Sequence, residues 1–421
     1  MSAAVDGIKR YGAWIAAALV VVVLPHIFSS GASITMMSLM GFAIIFALSY
    51  NMLLGQTGML SFGHAVYYGL GGFITAHALN VIGAGKLPVP LPLLPLVGGL
   101  AGLSFAILFG WVSTKRAGTA FAMISLGVGE LVAACSLILR SFFGGEGGIS
   151  TSRTATLRLF GINFGPQIQV YYLIAAWCLA CIVAMYAFTR TPMGRMCNAV
   201  RDNPERAEFV GYSTQMVRFI AFCTSGFFAG VAGGLAAIHY EIVTSSVVGA
   251  GPSGFVLLMA YIGGIAFFIG PIIGAVLMTA LQISLSDYTG AWQLYVGLMF
   301  VFVVMYAPGG LAGLLLMHRP LVATGTLARL LPAYALAALP ALALSAGVVL
   351  LIETSHHLLV KAAEGPKMHT LWISYDANSP LAWAAIVALL AIGFLAFRRT
   401  WPVVSGAWSG AIIEARGKPG R

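Results

Sequence analysis

Charge is what this chain lacks. Asp, Glu, Lys and Arg make up only 8% of its 421 residues, against 60% hydrophobic residues, and the mean hydropathy is +0.94. No ordinary soluble globule has that balance, so an all-α polytopic membrane protein is expected. Strand-like alternation is missing over any length, which excludes a transmembrane barrel. There is no soluble basic domain to gather the net charge of +10, so nucleic acid is excluded as a partner. The five cysteines (Cys135, Cys178, Cys181, Cys197, Cys223) give no disulfide framework, and Cys178-x-x-Cys181 reads as small core residues of an apolar helix. Carboxylates inside spans are nearly absent. Glu130 is the one well inside a span, while Glu241 and Asp287 fall at outer ends. Ion-coupled carriers of this size carry more, which leaves secondary transport the lesser alternative. A phosphate loop is missing too: Gly83-Ala84-Gly85-Lys86-Leu87 lacks the first glycine and the Ser/Thr of GxxxxGK[ST]. His356-His357 has no third ligand at useful spacing, so neither a metal nor a cofactor is implied.

What is present is apolar helix. A span needs about 20 residues. Twelve candidates follow: Tyr11–Phe28 (a retained signal anchor), Ser33–Leu54, Leu60–Ile82, Leu91–Ser113, Thr119–Leu139, Val170–Phe188, Phe219–Tyr240, Ser253–Ile269, Ile272–Leu285, Trp292–Ala307, Leu330–Ile352 and Leu381–Phe397. A break at Gly270-Pro271 predicts two half-length helices or one bent hairpin. With the N-terminus inside, 16 of the 22 Lys and Arg fall in the cytoplasm, leaving Lys86, Arg140, Arg153, Arg158, Lys361 and Lys367 outside. Both termini are therefore expected in the cytoplasm, with Arg140–Gln169 a long outside loop. The glycines within spans (Gly63, Gly69, Gly71, Gly72; Gly226, Gly230, Gly233, Gly234; Gly263, Gly264, Gly274) predict close helix packing.

One polar stretch interrupts the spans, Thr189–Arg218. Thr191-Pro192 and Asn203-Pro204 each pair a capping residue with a proline suited to a first turn. The first predicts a helix with Met193, Met196, Cys197 and Val200 on one stripe. The second predicts barely two turns, from Pro204 to Val210, stopped at Gly211. The segment is either solvated connection or a docking element. Inside the membrane, Asn51, Gln56, Thr57, Ser61 and His64 form the densest polar set. Such groups either bridge helices or line a translocation path.

Four motifs resemble the branched-chain amino-acid ABC permeases of the LivM type. Tyr50-Asn51, Gly55, Gly58, Ser61, Gly63-His64, Tyr67-Tyr68 and Gly69 carry the first. Gly194-Arg195, Ala199, Arg201-Asp202, Ala207 and Gly211 carry the second. Gly263-Gly264, Gly270-Pro271 and Gly274 form the third, and Tyr306, Pro308, Gly310-Leu311 and Gly313 the fourth. Ala266 departs from the pattern where a third glycine is usual. The resemblance implies a vitamin-importer-like (type II) architecture: an N-terminal anchor helix over 1–32, a permease core over 33–317, and an extension over 318–421 with two extra helices beyond about ten core spans. It also implies a permease of the bacterial inner membrane that is not itself an enzyme and that moves leucine, isoleucine and valine. Its implied partners are a second permease subunit in a heterodimer, two cytoplasmic ATP-binding subunits, a periplasmic amino-acid-binding protein and membrane lipid. The ATPase-coupling residues would be Gly194, Arg195, Ala199, Arg201, Asp202, Glu205, Arg206, Ala207 and Gly211. Related permeases for urea, amides or sugars share the scaffold, so the substrate stays open.

Overall fold

The computed structural model describes residues 2–86, 88–155, 163–361, 363, 365–370 and 372–417; Leu87 and Arg158 lie outside them. The protein is an all-α, multi-pass membrane protein. Its helices are α1 (Ser2–Ile27), α2 (Gly31–Thr57), α3 (Ala65–Gly83), α4 (Leu94–Ser113), α5 (Gly118–Ile138), α6 (Arg140–Phe143), α7 (Gln167–Arg190), α8 (Pro192–Asp202), α9 (Pro204–Phe209) and α10 (Thr214–Tyr240). They continue with α11 (Ala250–Gly263), α12 (Gly270–Tyr288), α13 (Trp292–Tyr306), α14 (Gly310–Ala323), α15 (Leu331–Val360) and α16 (Pro380–Gly417). Among the described residues, nine helices are long and apolar enough to cross a membrane, or ten if the bent pair α13–α14 is one span. Trp14–Ile27 and α11 are shorter apolar helices. All twelve expected places therefore carry helix, with different bounds.

Four differences stand out, and the first two have a plain physical cause. The third span begins at Ala65, because residues 58–64 form a partly buried non-helical loop in which Gly58 (φ +69°) ends α2 in a left-handed turn. The interruption expected at Gly270-Pro271 lies instead at residues 264–269. Gly264 adopts φ +112°, and Gly270-Pro271 opens α12, where proline costs no hydrogen bond. The tenth span does not end in a loop. A break of ≤ 4 residues, bent by 47°, leads into α14. Finally, α16 runs 38 residues, well past Phe397.

Two compact units emerge: residues 1–280 with 300–312, and residues 281–299 with 313–421. In the first, α10 packs against α4, α3 and α2, and the packing is backbone on backbone. A Cβ at Gly71 would stand 2.6 Å from the Gly230 Cα, and one at Gly98 2.6 Å from the Gly230 carbonyl. Short residues permit that approach. Past the break, α11 and α12 form a bent hairpin, with Gly274 seated against the Met259 carbonyl and Gly263 against that of Gly270. The loop after α5 carries no span-length helix among its described residues. It is pinned to the end of α10 by β1 (Ile149–Ser150), which pairs antiparallel with β2 (Ile242–Val243). Arg153 adds its ion pair with Glu241 at 3.8 Å and a hydrogen bond to the His239 carbonyl at 3.2 Å.

In the second unit α15 lies along α16 with Gly347 on Leu390 and Gly393 on Leu344. Arg329 pairs with Glu414, and β3 (Lys367–Thr370) forms a hairpin with β4 (Ile373–Asp376).

Candidate functional site

The loop between α2 and α3 turns back beside its own helix. Buried irregular backbone must find hydrogen bonds within the protein, and here serines of other helices supply them. Ser125 of α5 accepts from the Phe62 N–H at 3.0 Å, Ser253 of α11 accepts from the Ala65 N–H at 3.1 Å, and the Tyr50 hydroxyl donates to the Ser61 carbonyl at 3.1 Å. Gly63 fits only because it has no Cβ, being set against the Ser125 carbonyl and the Gly129 backbone. Neither Ser125 nor Ser253 stood out in the sequence, although the Ser-x-x-x-Gly spacing from 125 to 129 is a close-packing signal.

His64 is fully buried among Phe46, Tyr50 and Tyr67. Ser49 fixes its tautomer. That hydroxyl spends its one proton on the Phe46 carbonyl at 2.7 Å, so it must accept from His64 Nε2–H at 3.0 Å. Nδ1 is left as a bare acceptor. Asn51 Oδ1, Gln56 Oε1 and Ser61 Oγ likewise have no protein partner while buried. Thus each of the four residues read as a candidate path keeps one polar atom unpaired. Thr57 does not; its hydroxyl donates to the Leu53 carbonyl at 2.6 Å.

Both short helices of the polar stretch form with the expected caps. Thr191 Oγ1 accepts from the Gly194 N–H at 3.2 Å, and Asn203 Oδ1 from the Arg206 N–H at 3.0 Å. Cys197 and Val200 of α8, Ala207 of α9, and Val217 and Ala221 of α10 form one apolar cluster, with Met193 and Met196 packed on it. Burying a Val-sized side chain contributes about 1.5–3 kcal/mol, enough to hold so short a pair of helices in place. Burial raises the Cys197 thiol to about 12.

The named residues then divide. Gly194 and Ala207 face inward, Gly194 tight against the Phe188 carbonyl. Arg195, Ala199, Asp202, Glu205, Arg206 and Gly211 are exposed. Arg201 does both, donating through Nη1 to the Gly55 carbonyl and through Nε to Asp202 Oδ1 at 2.9 Å. Its methylenes also lie against Gly58. The second helix has an apolar tip that the charge-centred reading missed: Phe209 is 88% exposed and Val210 74%. The available signal was two apolar residues closing a charged helix too short to bury them.

Residues 32–308 match the family described as branched-chain amino acid transport system / permease component. The chain belongs to that family. It is 27% identical over 340 residues to the high-affinity branched-chain amino acid transport system permease protein LivM of Salmonella typhimurium, covering 75% of this chain and 78% of that protein. The LivM protein of Escherichia coli K12 matches to the same extent. BraD of Pseudomonas aeruginosa, a permease protein of a system with the same description, is 22% identical over 283 residues, 64% of this chain and 91% of its own. No solved structure matches. The family match ends before α14.

Proposed function

We propose that this chain is one permease subunit of a bacterial ABC importer that carries branched-chain, hydrophobic amino acids across the inner membrane. The observation that carries the reading is the Arg201–Gly55 link. It joins an exposed pair of short helices to the last turn of α2, just before a loop in which Ser61 Oγ and His64 Nδ1 are unpaired. On this reading the exposed tip of α9 seats in one of two cytoplasmic ATP-binding subunits, which perform the hydrolysis. A motion of that tip pulls on the end of α2. The same motion shifts the loop holding Ser61 and His64, beside which Asn51 and Gln56 lie.

The unpaired set includes the acceptor Nδ1 of His64 and the hydroxyl of Ser61, suited to a passing ammonium or to water. Strong capture of substrate would fall to a periplasmic binding protein, and a path with few strong sites releases what it moves. A second permease subunit completes the membrane part. Glu130 supports this, since it sits near the middle of α5 with its side chain exposed. A carboxylate at that depth needs a polar neighbour or a watered path. The shared side of Arg153 and Glu241, and that of Arg201 and Gly55, support the alternation of sides read for the spans between residues 55 and 241.

The test is labelled leucine uptake in proteoliposomes holding all the subunits, with wild type and Asp202→Lys/Glu205→Lys compared. Uptake should require ATP and be lost in the variant, together with either the bound ATPases or substrate-stimulated hydrolysis. If ATPase co-purification and stimulated hydrolysis both persist in the variant, the docking assignment is wrong.

A further inference from the structure

The second unit holds a polar cleft for which the transport reading has no use. Near the end of α15 the apolar run gives way to Glu353, His356 and Lys361. They line a cleft of about 430 Å³ with Asp287 of α12 and with Lys367 and His369 of β3. His357 is turned to the chain itself, its Nε2 bonded to the Gly365 carbonyl at 2.7 Å.

Two apolar grooves open from the cleft. One, of about 390 Å³, follows Leu294, Leu351 and Leu359 and shares Gly290 and His356 with it. The other, of about 520 Å³, runs by Leu285, Val349 and Trp372 and shares Thr289, Glu353 and His369. Tyr288 and Trp372 stand 88% and 91% exposed beside this second groove. Exposed aromatic residues where apolar helices end mark headgroup depth in a bilayer.

We propose that this cleft binds one phosphatidylethanolamine molecule. Lys361 and Lys367 face its phosphate, Glu353 and Asp287 its ammonium, and the grooves take its acyl chains. Charge complementarity selects the occupant. A purely anionic headgroup would set its charge against two carboxylates, and a soluble zwitterion would leave both grooves unfilled. Glu353 is already oriented for the role, accepting from Tyr295 at 2.8 Å and Thr289 at 3.1 Å. This inference stands apart from the transport reading.

The experiment is native mass spectrometry of the full-length chain in mild detergent, titrated with phosphatidylethanolamine, phosphatidylglycerol and free phosphoethanolamine. One phosphatidylethanolamine should be retained, preferred over phosphatidylglycerol by about fivefold. Each exposed lysine–phosphate pair is worth up to about fivefold, so Lys361→Gln/Lys367→Gln should weaken retention by up to about 25-fold. An unchanged melting midpoint checks that this variant keeps its fold. Asp287→Asn, also exposed, should erase the preference between the two lipids while retaining both. Equal retention by the lysine variant overturns the proposal. So does a wild-type preference for phosphatidylglycerol, or displacement of the lipid by equimolar phosphoethanolamine.

Discussion

Arg201 and Gly55 are joined by a hydrogen bond from the guanidinium of α8 to the last turn of α2. Terminal carbonyls of a helix have no partner within it. At this end Leu54 is served by the Gly58 N–H at 3.0 Å and Leu53 by that of Met59 at 3.1 Å, while Gly55 is left for the arginine. Asp202 steadies the guanidinium from the other side.

Arg201→Ala should leave the complex assembled and lower substrate-stimulated ATP hydrolysis about tenfold, the equivalent of one hydrogen bond to a charged group. Arg201→Lys should recover little, because an ammonium cannot reach the carbonyl and Asp202 through separate, fixed donors. ATPase assays in proteoliposomes check both; coupling in Arg201→Ala equal to wild type would remove the link from the mechanism.

Phe209 offers a different handle. Its side chain touches little of its own chain, so Phe209→Asp should change stability by less than about 0.5 kcal/mol. Co-purification of the ATP-binding subunits should nonetheless fall sharply. A pull-down alongside a melting curve separates the two effects, and full ATPase recovery would show that the tip makes no contact.

Ser125→Ala strips the partner of the part-buried Phe62 N–H of the loop, and Ser253→Ala that of the buried Ala65 N–H where α3 begins. The cost should be about 1 kcal/mol apiece, at the low end for an orphaned donor because unfolded segments in a membrane find partners too. Both serines hold one loop, so the double variant should be non-additive. Thermal unfolding in detergent measures all three.

Much of this was legible in the sequence. Spans, caps and the α8 stripe follow from apolar length, Thr191, Asn203 and spacing, all of which act locally. The start of α3 was not legible, since Leu60 and Phe62 extend the apolar run of the third span backwards past its true beginning. What unwinds them is a set of partners distant in the chain, Ser125 and Ser253. The break at 264–269 was misplaced for a related reason: Gly270-Pro271 reads as an interruption, yet proline is at ease in a first turn. The pull of Arg201 on Gly55 spans 146 residues, and no local pattern reports it.

Cys197 supplies a pH test outside the membrane-spanning helices. Its folded thiol is raised to about 12 from an ordinary 9.0. At pH 7 it is protonated whether folded or not, and nothing is gained or lost. Above pH 9 the unfolded thiol ionises while the folded one holds its proton, so stability falls as pH rises from about 9 toward 12. Cys197→Ser should flatten that part of the profile. Maleimide at pH 8 should label Cys197 only after denaturation; rapid labelling of the native chain would place the thiol at the surface.

The glycine seams of α10 bear on mechanics. Where Gly71, Gly98 and Gly230 meet, main chains touch with no cushion of side chains between them. Such a joint has no slack: rolling or sliding one helix past another would drive carbonyls into carbons within a fraction of an ångström. Helices α3, α4 and α10 must therefore travel as a stiff plate, and any deformation during a transport stroke has to fall outside that plate.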